Sequence, residues 1–108
     1  MHAITIDPLA EREILESLAQ TPDGERLAME PARAEELVSA LTREVEKSTS
    51  LGRRPVLLCS TRIRRHVRGL IEQGFPQLPV LSYNEISSGI KVDAIGVVEL
   101  EPTELVAA

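Results

Sequence analysis

Residues 54–85 read RPVLLCSTRIRRHVRGLIEQGFPQLPVLSYNE, and the period of their apolar residues changes twice. Pro55–Cys59 shows no polar alternation, the mark of a strand covered on both faces. From Ile63 onward the apolar residues fall at helical spacing, at Ile63, Val67, Leu70 and Ile71. Ser60 or Thr61 is placed to cap that helix, Gly74 to end it, and Pro76 follows. Leu78–Ser82 is apolar again, and Ser82-Tyr83-Asn84-Glu85 suits a turn that caps a short 3₁₀ segment. Strand, helix and strand in this order make one βαβ unit with parallel strands and a right-handed crossover.

Upstream, Ala3–Ile6 is a short strand, and Asp7-Pro8 opens a helix with a capping carboxylate and a proline at the first helical position. Ala10, Ile14 and Leu18 recur at helical spacing, which predicts an amphipathic helix over 8–20. Thr21-Pro22-Asp23-Gly24 is a turn, and Arg26–Met29 a short strand at or near a sheet edge. Glu30-Pro31 starts a second helix with the stripe Ala34, Leu37, Val38, Leu41 and Val45, and Ser48–Arg54 is the loop out. Downstream, Ile90–Leu100 is a long strand, apolar in both parities and so bulged near Gly96 or partly covered on both faces. The expected fold is a single small layered α/β domain over 1–100, with three helices and a mixed, mostly parallel sheet of about four to five strands. Residues 101–108 lack any pattern and are expected to be a flexible tail.

Charge is unevenly placed. Residues 1–50 hold 11 acids against five bases, residues 51–80 six arginines against Glu72 alone, and residues 81–108 five acids against Lys91. A net charge of −5 and only Phe75 and Tyr83 as aromatics argue against a nucleic-acid binder, which needs phosphate-neutralising surface and stacking platforms. No apolar run is long enough to span a membrane, the N-terminus lacks the apolar core of a signal peptide, and the single Cys59 points to a reducing compartment. His2 and His66 have no second ligand at metal spacing, and no cofactor motif is present.

Two constellations could carry chemistry. Cys59 and Arg65 share the Cys-x5-Arg spacing of enzymes that hold a thiolate over an anion-binding loop, which would make a small thiol enzyme acting on an anionic substrate. The loop has no glycine, however, and a small buried residue at a strand end is the plainer reading of Cys59. The second constellation is Arg62, Arg64, Arg65 and Arg68. Cations at a helix N-terminus oppose its dipole, so their placement suggests another demand: an acidic neighbour domain, an acidic partner, or acidic residues of this same domain. The alternative is a solvated face neutralised by Glu11, Glu13 or Glu35. On the residues alone the domain is a non-catalytic α/β binding module, free-standing or part of something larger.

Several spaced motifs agree in order with one family: ITIDP at 4–8, LAMEP at 27–31, PVLLCS at 55–60, IR at 63–64, VR at 67–68, LIE at 70–72 and PVLSYNEI at 79–86. Over roughly residues 3–98 the chain resembles the C-terminal cytoplasmic portion of FlhA-type export-gate proteins (the FlhA/InvA/YscV family) of flagellar and virulence type III secretion systems. The VLSYNEI wording is closer to the flagellar branch. The resemblance implies a non-enzymatic protein without cofactors, whose N-terminal half is a multi-helix region of the bacterial inner membrane. Its cytoplasmic region of four subdomains forms a nonameric ring, and this chain would be the last subdomain, soluble on the cytoplasmic face. The implied partners are the other subdomains and protomers, substrate–chaperone complexes and the export ATPase complex with its stalk protein. Motion of the last subdomain would open and close the docking surface. No site residue carries over from the family; the arginine face rests on charge alone.

Overall fold

The computed structural model describes residues 1–101. Along the chain run β1 (His2–Ile6), α1 (Pro8–Glu16), β2 (Leu18–Thr21), β3 (Gly24–Leu27), α2 (Pro31–Ser50), β4 (Val56–Cys59), α3 (Arg64–Ile71), β5 (Val80–Ser82), a 3₁₀ turn (Tyr83–Glu85) and β6 (Asp93–Val98). Four strands form one sheet in the order β5-β4-β1-β6, and every pairing in it is parallel. The βαβ unit read from residues 54–85 is therefore present, with β4 and β5 as neighbours joined through α3. The antiparallel contribution is a separate hairpin, β2 with β3.

The core follows from the strand register. Ile4 stands opposite Leu57, and Leu57 opposite Val80, so one face of the sheet presents a continuous apolar row. That row packs with Ile14 of α1, Leu41 of α2, and Val67 and Ile71 of α3 in one buried cluster. The opposite parity is buried too, at Ala3 and Leu58, as a strand lacking polar alternation requires. β6 joins β1 with a register shift: Ala3 faces Ala94 but Ile4 faces Gly96, leaving Ile95 as the extra residue of a bulge. A Cβ at Gly96 would meet the Glu44 carboxylate of α2, so glycine keeps α2 and β6 close there.

Several boundaries differ from the sequence expectation. The first helix stops at Glu16, not at residue 20, because Ser17 turns both its N–H and its hydroxyl onto the Glu13 carbonyl. Leu18 then begins the hairpin opposite Leu27, closed by Gly24 at φ 111°. The strand expected over 26–29 accordingly belongs to this hairpin and not to the edge of the main sheet. α2 runs on to Ser50, into the expected loop. α3 starts at Arg64 behind Ile63, without a side-chain cap from Ser60 or Thr61, which lie in the preceding turn. It ends at Ile71, ahead of Gly74. β5 begins at Val80, where Pro79 has no N–H to give. Ile90 and Val92 lie outside β6 and are exposed. The 3₁₀ turn after Ser82 is as expected, with Ser82 and Glu85 capping each other reciprocally. Of the expected tail, Glu101 donates its N–H to Glu36, and residues 102–108 lie outside the described residues.

Candidate docking surface

α3 buries Val67 and Ile71, and this fixes where its arginines go. On one flank, Arg62 and Arg65 reach the β2–β3 hairpin and converge on Glu25. Arg62 donates bidentately to the Glu25 carboxylate, Nη1 to Oε1 at 2.7 Å and Nη2 to Oε2 at 2.5 Å. His66 Nε2 lies 3.0 Å from Oε1, Arg65 Nη2 3.6 Å from Oε1, and Gln20 donates to Oε2 at 3.2 Å. Side chains of Glu25 and His66 retain only 10% and 8% of their exposure. The hydrogen bonds from Arg62, then from His66, hold the Glu25 carboxyl down at about 2. This carboxylate clamps the hairpin to α3.

On the other flank, Arg64 and Arg68 cover the outer edge of β5. Arg68 donates to the carbonyls of Leu78 and Pro76 at 2.5 and 2.9 Å, and Arg64 Nη1 to that of Val80 at 3.3 Å. These alternate carbonyls face away from β4, whereas the Pro79 carbonyl accepts from Leu57 within the sheet. The guanidinium groups thus blunt an edge that would otherwise be open to strand pairing. Arg64 also sits 3.2 Å from Glu85, whose carboxyl is lowered chiefly by hydrogen bonds from Ser82.

The four predicted arginines therefore make two pairs on two flanks of α3. The acids facing them are Glu25 and Glu85, not Glu11, Glu13 or Glu35; Glu13 instead takes Arg33 in a bidentate pair joining α1 to α2. Arg65 is left most open, 68% exposed, and Arg62 follows at 55%. Sequence reasoning missed Glu25. Its one signal was parity, since Glu25 and Leu27 share the inward side of a short strand.

Cys59 is fully buried, and its thiol is pushed up to about 12 by burial first and by the Glu11 carboxylate second. Glu11 also accepts the Ser60 N–H at 2.8 Å, so the first amide of the loop is occupied by the protein's own acid. Arg65 turns away to Glu25. A thiolate over an anion-binding loop is not what this end of β4 offers, and Cys59 is a core residue. At pH 8 a thiol with this pKa is ionised to roughly one part in ten thousand. Iodoacetamide at pH 8 is expected to leave Cys59 unmodified in the native protein and to alkylate it after denaturation, as mass spectrometry would read. Native alkylation at an ordinary thiol rate would reopen the enzyme reading. Among the described residues there is also no group of three or more metal-ligating side chains.

The profile of the family described as "FHIPEP family" matches residues 1–91. The flagellar biosynthesis protein FlhA of Bacillus subtilis is 36% identical over 100 residues, which is 93% of this chain and 15% of that protein. The chain thus spans a small part of the relative's length. Among solved structures, nonameric EPEC SctV-C superposes with a TM-score of 0.80 at 31% identity, over 91% of this chain and 29% of that one. CdsV of Chlamydia pneumoniae, solved in complex with CdsO, superposes with a TM-score of 0.79 at 32% identity, over 91% and 29%.

Proposed function

The chain belongs to the FHIPEP family of type III export-gate proteins, and from that membership we propose that it is a docking and gating subdomain of the export apparatus, acting by binding and not by catalysis. The observation that supports this most is the agreement of nearly the whole described fold with part of a nonameric export-gate domain. In this reading the chain lies on the cytoplasmic face of the bacterial inner membrane, and other parts of the full-length protein provide the membrane anchor. Among the described residues no helix is long and apolar enough to cross a membrane. Its partners are the neighbouring subdomains and protomers of a nonameric ring, substrate–chaperone complexes, and the ATPase complex through its stalk protein. The CdsV–CdsO complex, a property of that protein, supports a protein partner here as well.

The contact surface proposed is the basic segment Arg62, Arg64, Arg65 and Arg68, on both flanks of α3, against an acidic partner. Arg65 is its main contact, because its guanidinium is mostly free in solvent, while Arg64 and Arg68 hold the β5 edge and fix the position of α3. A rim cation contributes mainly to encounter and orientation. In cells whose export gate carries this chain, Arg65→Glu is expected to lower secretion of export substrates several-fold with the protein still at normal level. Unchanged secretion at normal protein level would remove this face from the mechanism.

A further inference from the structure

A second surface lies at the opposite end of the sheet, where β4 and β5 begin beside the last turns of α2. A groove of about 680 Å³ opens there. Its floor is apolar: Val45 of α2, Val56 of β4, and Phe75 and Leu78 from the segment entering β5. Arg53 and Arg54 stand on the rim, both exposed, and no acid lines the groove. Among the described residues neither guanidinium has a carboxylate within 4.0 Å. The contrast with α3 is direct. There Arg62, Arg64 and Arg65 each have an acid, and Arg68 holds two carbonyls; here, among the described residues, two cations have no carboxylate partner beside an apolar lining. Leu51, two residues before the rim, is 67% exposed.

That combination selects one chemistry. Guanidinium groups take carboxylates as paired, charge-assisted hydrogen bonds, and the floor takes a bulky apolar side chain out of water. The chain's basic excess lies in residues 51–80, six arginines against Glu72 alone, and Arg53 and Arg54 are the two of them at this end. We infer that the groove docks a short acidic segment of another protein, with one bulky apolar side chain flanked by carboxylates. The site is distinct from the Arg62–Arg65 flank of α3, although Arg68 holds the segment that lines one side of it, and its test does not depend on the export reading.

The test is a ¹⁵N NMR titration of the 108-residue chain with the peptide Glu-Glu-Leu-Glu-Glu. Saturable shifts are expected in the amides of Leu51, Gly52, Arg53, Arg54, Val56, Phe75, Gln77 and Leu78, while Arg65 and His66 stay still. Binding should weaken at least about tenfold when Arg53→Glu and Arg54→Glu are combined, and again when serine replaces the peptide's leucine. Both arginines are exposed, so the variant should keep the wild-type circular dichroism; if it does not fold, Arg53→Gln with Arg54→Gln makes the same comparison. The proposal is overturned if no saturable shift occurs. It is equally overturned if the serine peptide or inorganic phosphate binds as well, which would make this a bare anion site. Shifts at these residues with protein concentration alone would mean that a second copy fills the groove, and would overturn it too.

Discussion

Leu57→Ala is expected to cost about 3 kcal/mol of folding stability and to lower Tm by roughly 10–15 °C. Leu57 is 1% exposed and lies in β4, an inner strand of the sheet, between Ile4 of β1 and Val80 of β5. It belongs to the cluster that also holds Ile14, Leu41, Val67 and Ile71, so one truncation opens a cavity within the core to which all three helices contribute. Such a site collapses poorly, because its neighbours are fixed by hydrogen-bonded strands. Leu51→Ala removes the same atoms from a residue 67% exposed and should shift stability by no more than about 0.5 kcal/mol. Urea denaturation of the two variants measures the difference. A loss below about 1 kcal/mol for Leu57→Ala would mean that the sheet does not depend on this layer. In the proposed docking role the same variant also probes function: as temperature rises through its lowered midpoint, export should fail before the wild-type protein does.

The layer that Leu57 anchors is also the part most legible in the sequence. Residues such as Pro55–Cys59 and the stripe of α2 report burial directly, because apolar spacing and burial are one physical fact. The bulge at Gly96 and the turn at Tyr83–Glu85 were readable for the same reason, since a parity break and a Ser-x-x-Glu cap are local signals. What could not be read are choices between competing local partners. Leu18 continues the helical stripe of α1, yet it pairs with Leu27 once Thr21–Gly24 closes a hairpin, and that gain lies nine residues away. The arginine face shows the same limit. Charge grouped Arg62, Arg64, Arg65 and Arg68 as one face, but Glu25 and the open carbonyls of β5 divide the four into two pairs. The acid sits 37 residues from Arg62, and its role depends on the hairpin docking against α3. Conversely, Arg53 and Arg54 carried no motif, and only the fold shows them beside an apolar groove with no carboxylate partner among the described residues.

Glu25→Lys is expected to release the β2–β3 hairpin from α3 while leaving the four-stranded sheet intact. The wild-type carboxylate gathers Arg62, His66 and Arg65 at one point; a lysine there would set a fourth basic side chain among them. Beyond that clamp, the hairpin is held by its own ladder, by Leu18 and Leu27 packing on the core, and by the Ala28 N–H on the Ser17 carbonyl. Amide exchange of Leu18–Leu27 should therefore speed up sharply in the variant, while β1 and β4 stay protected. Acid should reproduce a milder form of this release. Folding lowers the Glu25 carboxyl from 4.5 to about 2, so its stabilisation is fully present above pH 4.5 and is lost as the pH falls toward 2. The Tm of Glu25→Gln should lie several degrees below wild type at pH 7, and the gap should close between pH 4.5 and 2. A gap that stayed constant across that window would show that the carboxylate's charge does not hold the clamp. Because α3 also carries Arg65 to the surface, loosening the hairpin should blur the position of the most exposed arginine of that basic cluster. In the proposed docking role, Glu25→Lys would then impair export in the same direction as Arg65→Glu, with the larger Tm loss of the two.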